Sequence, residues 1–383
     1  MLHGTGEANF ILFQTPDRTE LRIMKMKIAI LTTILFLSMS LISVRAQNPH
    51  KMSTVPADSI YSWLKSNHVP AVAVGIIENN RIKSVNVYGE LTAGVKAPLN
   101  AYWNVASLTK PVTALTVLAL VDQGKWDLDE PVSKYWVDPD IKDDPRTARL
   151  TTRILLSHSA GFPNWRFNAP GKKLFFRFEP GTGFSYSGEG YEYIRRALES
   201  KFHRSLQQVA EEESFGPVKM KDTRYSWDES LDSTRFALPH DGAGNRIYNT
   251  KSTTVIAADW LITTISDYTL LGLYTIRGAG LSASLYENMS SIHTPFDTTA
   301  AHRNSGMGLG WQVVRNLPGN EFVLAHGGSD DGVRTDIILL PVSGRGIIVF
   351  TNGDNGGTVI NNIMKSSLPD LRTALSPYMG EFR

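Results

Sequence analysis

The chain of 383 residues contains no cysteine at all. That absence excludes disulfides, thiolate metal sites, a cysteine nucleophile and a lipidated N-terminal cysteine together. An excess of charge is missing too: 39 Lys and Arg stand against 37 Asp and Glu, for a formal net charge of +2. With both signs interspersed, nothing points to nucleic acid or to an acidic surface as a partner. Internal repeats, low-complexity tracts and a Gly/Ser-rich linker are lacking as well, so no feature cuts the chain in two. The length is ample for a large core, held in one big domain or two.

What is present begins near the N-terminus. Met24-Lys25-Met26-Lys27 leads into an apolar run over 28–44, followed by Val44-Arg45-Ala46 before Gln47. A short basic segment, an apolar core and small residues at the cleavage position describe a secretory signal peptide. The alternative is an uncleaved anchor, because about 17 apolar-to-neutral residues lie near the lower limit for spanning a bilayer. The residues before Met24 are polar and unpatterned, as an upstream start codon would leave them. The expectation is an extension and signal over 1–46, cleaved before Gln47, and an exported domain over 47–383, periplasmic or extracellular. An oxidising compartment and a chain with no cysteine to oxidise are a consistent pairing.

Downstream, a short helix is predicted over 58–66. Val- and Ile-rich runs at 71–77 and 82–88, joined by Glu78-Asn79-Asn80-Arg81, read as a hairpin. Near the other end, 332–340 and 346–351 form a second apolar pair around Pro341-Val342-Ser343-Gly344-Arg345, and a last helix is predicted over 359–368. The middle is helical or irregular, with many Gly, Pro and aromatic residues. Strands at both ends around a helical middle predict an α+β fold. One sheet is built from about 47–106 and 300–383, with an inserted, mainly helical region over about 107–299.

That middle opens on Asn104-Val105-Ala106-Ser107-Leu108-Thr109-Lys110-Pro111. The apolar run beyond it ends at Asp122-Gln123-Gly124, a common helix stop. In a helix, Ser107 and Lys110 fall three apart on one face of the first turn. The helix N-terminus adds unpaired N–H groups and partial positive charge, which favour an oxyanion there. A hydroxyl nucleophile needs a nearby base, and Lys110 can be one where its surroundings favour the neutral amine. Pro111 cannot donate back to the Ser107 carbonyl, so the first turn is expected to be irregular. Taken alone, S-x-x-K is more often a solvated helix start.

Three further stretches carry chemistry. Leu155-Leu156-Ser157-His158-Ser159-Ala160-Gly161 ends a predicted helix, and with no acidic partner in sight His158 reads as a structural histidine bonding loop backbone. Tyr186 follows the Gly-rich turn Pro180-Gly181-Thr182-Gly183 and opens towards a helix near Tyr191. A phenol near an ammonium has its anion favoured, so Tyr186 can accept and donate protons; otherwise it is a buried aromatic with a bonded hydroxyl. Leu324-Ala325-His326-Gly327-Gly328-Ser329 follows a short strand signal. Its paired glycines let a substrate lie along the backbone and leave N–H groups free, although alone it reads as a turn with a solvent-facing histidine.

Each signal is modest, but their order is specific. S-x-x-K, then Tyr186, then His326-Gly327-Gly328, resembles the serine β-lactamase and penicillin-binding protein superfamily. The nearest likeness is to class C β-lactamases and their DD-peptidase, D-aminopeptidase and esterase relatives. Leu155 to Gly161, Gly216 to Thr223, and Gly308-Leu309-Gly310-Trp311 agree, so the resemblance covers 55–365. It implies an antiparallel sheet flanked by helices plus a helical region, with the cleft between them. It implies Ser107 as the acylated nucleophile, Lys110 as its proton-transfer partner and Tyr186 as a second acid/base group. His326, Gly327, Gly328 and Ser329 would line the substrate, and the N–H groups of Ser107 and Ser329 would form the oxyanion hole.

Two departures stand out. Where the family has Tyr-x-Asn, this chain has Tyr186-Ser187-Gly188, so the amide that contacts an acylamino side chain is missing. Where it has Lys-Thr-Gly, this chain has His326-Gly327-Gly328, so no permanent cation awaits a carboxylate. An imidazole ordinarily gains its proton near pH 6.5, so His326 is expected to be neutral at pH 7.5 and to favour carboxylate substrates on acidification. The expectation is a secreted serine hydrolase working on esters or small amides and peptides, with no metal or cofactor. β-Lactamase or DD-peptidase activity is the alternative, and a non-catalytic penicillin- or cell-wall-binding module is the rival from another class.

Overall fold

The structure is a computed structural model that describes residues 51–92, 94–248, 251–296 and 304–370. The segment read as an export signal lies outside the described residues. Among those described, nine antiparallel strands form one sheet. They are β1 (Ala71–Glu78), β2 (Arg81–Thr92), β3 (Val95–Lys96), β6 (Thr294–Pro295), β7 (Ser305–Met307), β8 (Gln312–Leu317), β9 (Glu321–Asp330), β10 (Val333–Leu340) and β11 (Arg345–Thr351). The two short strands between, β4 (Trp103–Asn104) and β5 (Ile262–Thr263), pair with each other. The order across the sheet is β3-β2-β1-β11-β10-β9-β8-β7-β6, so β1 from the front of the chain pairs with β11 from its end. This is the α+β arrangement that the apolar runs predict.

The sheet is central because its middle strands are apolar on both faces. β11 is buried along its whole length, as a strand covered on two sides must be. One face carries α1 (Ala57–Ser66) and α5 (Gly356–Ser367), whose Ile60, Leu64, Val359, Ile360 and Ile363 pack on Val72, Val74, Ala325, Ile338 and Val349. The other face meets the larger core, which takes in α2 (Thr109–Asp122), α3 (Gly188–Phe202) and α4 (Ile265–Ile276). α4 falls within the interval read as the inserted helical region, yet it packs directly on β1, β2, β10 and β11. Gly75 allows that close approach, since a Cβ there would run into the Thr269 hydroxyl.

α2 is buried nearly all round, from Thr109 to Leu118. A helix apolar on every side belongs inside the protein, and this one is the axle of the non-sheet region. The irregular first turn expected from Pro111 is a 3₁₀ turn, Ala106–Leu108, running into the helix. Ser107 therefore sits at the junction, where sheet and helical region meet.

Candidate active site

Backbone pairing fixes the segment before α2. β4 pairs with β5 through Asn104 and Ile262, and Val105 N–H donates to the Leu261 carbonyl at 3.1 Å. Ala106 adopts φ 49°, a left-handed conformation that costs a non-glycine residue energy. Asn104 Oδ1 holds it by accepting Ala106 N–H at 2.9 Å. Thr109 completes the brace: its hydroxyl donates to the Ala106 carbonyl at 2.6 Å and accepts Leu261 N–H at 2.9 Å. Half-buried Ser107 follows, presented by a strained and well-tied turn.

Lys110 is only 1% exposed, and its Nζ donates to Ser107 Oγ at 2.9 Å. A second bond, 2.8 Å to the Ala258 carbonyl, anchors the same nitrogen. The Tyr186 ring lies beneath it, with 4.7 Å from Nζ to the centroid. Tyr186, distant in the chain, is thus brought into one group with Ser107 and Lys110.

The loop that carries Tyr186 is clamped on both sides. Ser185 Oγ donates to the Phe162 carbonyl at 2.7 Å, and Ser187 Oγ donates to the Pro163 carbonyl at 2.8 Å. Ser187 Oγ also caps α3 by accepting Gly190 N–H at 3.1 Å. His158 supports the tyrosine from behind, its ring 4.4 Å from the Tyr186 ring and tilted by 33°. His158 Nδ1 accepts Ser187 N–H at 3.0 Å, and a backbone amide can only donate, so the proton of this neutral imidazole is on Nε2. Burial first, then Lys110, holds His158 well below the usual histidine range. It bonds loop backbone, as its sequence context predicts.

The position where the family has asparagine shows why glycine stands there. A Cβ on Gly188 would come within 2.7 Å of the Trp165 indole. The space of the missing amide is filled by Trp165, which stacks on Phe167 at 5.7 Å.

His326 differs from the reading of its residues alone. It lies inside β9 rather than in a turn, and it is 1% exposed rather than solvent-facing. Side chains alternate along a strand, so Leu324, His326 and Gly328 share the face that meets the larger core. Gly328 on that face abuts Val105 and Ala106, and the His326 ring is 6.2 Å from the Tyr186 ring. His326 Nδ1 lies 2.7 Å from the Gly327 carbonyl and so carries the proton, which leaves Nε2 a buried acceptor with no partner among the described residues. Burial and then Lys110 push its pKa down to about 3. The expected gain of charge between pH 8 and 6 is therefore overturned, because a buried imidazole beside an ammonium resists protonation.

Sequence reasoning missed Asp259. It follows Ala258, the anchor of Lys110, and precedes Trp260, whose φ of 67° is unusual for so bulky a residue. Burial and then Asp330 push Asp259 up to about 7, against the pull of Lys110. Only the S-x-x-K–lysine anchor could have pointed to this stretch, and that anchor is a backbone carbonyl with no sequence signal. Among the described residues, no group of three His, Asp or Glu side chains converges in a way that would hold a metal ion.

A sheet between two helical layers thus carries a serine, a buried lysine and a tyrosine together where sheet and helices meet. A family model described as Beta-lactamase matches residues 55–363. The chain belongs to this family of serine hydrolases. It is 22% identical over 317 residues to Protein flp of Staphylococcus aureus strain MW2, a match covering 76% of this chain and 61% of that protein. Among solved structures, it resembles the octameric penicillin-binding protein homologue from Pyrococcus abyssi, with TM-score 0.67, 19% identity, and 82% of this chain and 80% of that one covered. It also resembles the D-alanine carboxypeptidase AmpC from Burkholderia cenocepacia, with TM-score 0.65, 17% identity, and 81% and 100% covered. At these identities the structural likenesses show the fold.

Proposed function

We propose that this protein hydrolyses esters or small amides through an acyl-enzyme on Ser107, outside the cytoplasm. One observation carries the reading: buried Lys110 Nζ stands 2.9 Å from Ser107 Oγ with the Tyr186 ring 4.7 Å away. In the first step Ser107 Oγ attacks the carbonyl carbon and its proton passes to the Lys110–Tyr186 pair. The oxyanion is received by the N–H groups of Ser107 and Ser329, usually the largest catalytic contribution in such sites. Collapse expels the alcohol or amine, protonated from the Lys110–Tyr186 pair, and water then releases the acyl group by the same route. His326, Gly327 and Gly328 form the wall beside which the substrate lies.

A second reading is β-lactamase activity, or peptidase activity such as the D-alanine carboxypeptidase named for the Burkholderia protein. Two features weigh against it: Trp165 fills the place of the acylamino-binding amide, and His326 is neutral where a carboxylate would need a cation. A penicillin-binding module without turnover would have no use for a proton shuttle, which Lys110 and Tyr186 supply. The deciding experiment measures turnover of a chromogenic short-chain ester and of a chromogenic cephalosporin, with fluorophosphonate labelling of wild type and Ser107→Ala. Ester turnover well above cephalosporin turnover, with labelling lost in a folded Ser107→Ala protein, is expected. Labelling that survives Ser107→Ala refutes the nucleophile, and a faster cephalosporin reverses the order of the two readings.

A further inference from the structure

Among the described residues no hydrogen bond fixes the Tyr186 hydroxyl itself. The phenol is therefore placed by the backbone on either side of it and by what packs against its ring. One residue supplies both. The His158 carbonyl accepts Ser185 N–H at 2.9 Å, and His158 Nδ1 accepts Ser187 N–H at 3.0 Å. The two amides that flank Tyr186 in the chain are thus held by His158, whose ring also lies 4.4 Å from the Tyr186 ring. On the far side of the phenol, Lys110 Nζ is 4.7 Å from the ring centroid.

The histidine is itself held firmly. Its backbone takes φ 56°, in the left-handed region, where carbonyl and ring reach the same short strip of chain. That region is uncommon outside glycine, and residues held in it cluster at functional sites. The imidazole is boxed in by Tyr191 at 5.4 Å and by Phe184, at right angles to it, at 6.4 Å. Packing alone does not explain an imidazole here. His158 Nε2 is buried with no partner among the described residues, and an unpaired buried polar atom costs stability. A phenylalanine would fill the same space without that cost; what it lacks is the Nδ1 lone pair that receives Ser187 N–H.

We propose that His158 is a positioning residue for the acyl-transfer steps: its carbonyl, its Nδ1 lone pair and its ring face together hold the Tyr186 phenol against Lys110. Proton transfer through Tyr186 then depends on a buried side chain that stands behind the reacting groups. This rests on the acyl-enzyme reading and adds to it the residue that sets the geometry of the second acid/base group.

The test is a double-mutant cycle on a short-chain ester, with His158→Phe and His158→Asn each made in wild type and in Tyr186→Phe. Phenylalanine keeps a ring without the acceptor. Asparagine keeps an acceptor near the place of Nδ1 and tolerates the left-handed backbone, but has no ring. In wild type, His158→Phe should lower kcat by about tenfold or more with KM within about threefold, as misplacement of a reacting group does. His158→Asn, which can keep the bond to Ser187, should lose less, about threefold or more. In the Tyr186→Phe protein the hydroxyl to be positioned is gone, so either change should cost less than about twofold, because effects that act through one group are not additive. A role in folding alone would cost the same in both backgrounds. An unchanged kcat in His158→Phe, or an equal fold loss in both backgrounds, overturns the inference and leaves the hydrolase reading standing. Should His158→Phe fail to fold, the same two outcomes in His158→Asn decide. No ester turnover and no fluorophosphonate labelling of Ser107 in wild type would instead sink the hydrolase reading beneath it.

Discussion

Gly328 lies so close to the Val105 carbonyl that a Cβ there would come within 2.6 Å of its oxygen. Thr335 on β10 tightens the same contact by donating its hydroxyl to that carbonyl at 2.8 Å. The strand of His326 and the turn of Ser107 thus meet with backbone close to backbone, and the Thr335 hydroxyl seals the junction. The spacing of the nucleophile from the β9 N–H groups depends on it.

Gly328→Ala should therefore push β9 away from the nucleophile. Overpacking of this kind costs roughly 1–3 kcal/mol, whereas about 1 Å of misplacement in a site can cost on the order of a hundredfold in rate. Ester kcat/KM should fall by about tenfold or more while the thermal midpoint drops only a few degrees. Turnover within twofold of wild type would show that the β9 backbone takes no part in the reaction.

Tyr186→Phe removes a hydroxyl and leaves the ring stacked on His158 at 4.4 Å. The fold should survive, and general acid–base contributions are typically about a hundred- to ten-thousand-fold. The loss should appear mainly in kcat. A loss below roughly threefold would leave Tyr186 a packing residue under Lys110.

Much of this site is legible in the sequence, for identifiable reasons. Ser107 and Lys110 stand out because helical spacing brings them together without help from the rest of the fold, and Pro111 even forecasts the 3₁₀ turn before α2. The outer strands are legible because Val and Ile runs with turn residues between them can do little else. Burial was less visible. His326 reads as exposed until β9, β10 and the helical region close over it, and its proton affinity follows from that closure. Asp259 was hidden for another reason: it sits in an irregular stretch positioned by backbone bonds to β4 and to Lys110, which leave no side-chain pattern. The place of α4 on the sheet depends on Gly75 and Thr269, a pair far apart in the chain.

His326 should also tie stability to pH. It is neutral when folded with a pKa near 3, against about 6.5 when unfolded. Between those values the unfolded chain binds the extra proton, so this contribution is full above pH 6.5 and is lost as pH falls towards 3. Asp259 and other carboxyls held high work in the opposite direction, so the informative quantity is a difference between proteins. The stability gap between wild type and His326→Gln, measured in urea at pH 7.5 and 4.5, should move against wild type by on the order of 2 kcal/mol on acidification. A gap that is the same at both pH values would mean that His326 is protonated in the fold.

The last prediction moves a pH switch from one residue to another. With a pKa near 3, His326 stays neutral from pH 8 to 6 and cannot change how the site receives a carboxylate. Asp259, pushed up to about 7, does change over that range: it is an anion at pH 8 and largely protonated at pH 6. The charged groups facing it are Asp330, which raises it, and Lys110, which lowers it. Arg334 acts on Asp330, which burial also holds above the usual carboxylate range. As the pH falls, the cleft loses negative charge, so a carboxylate-bearing ester should gain on its methyl ester. The ratio of their kcat/KM values cancels the titration of groups common to both, provided they share one chemical step. It should climb severalfold between pH 8 and 6 with a midpoint near 7 in wild type, climb alike in His326→Gln, and stay level in Asp259→Asn. A level ratio in wild type would show that Asp259 carries no charge felt by the substrate. A climb abolished by His326→Gln and kept in Asp259→Asn would return the switch to the histidine.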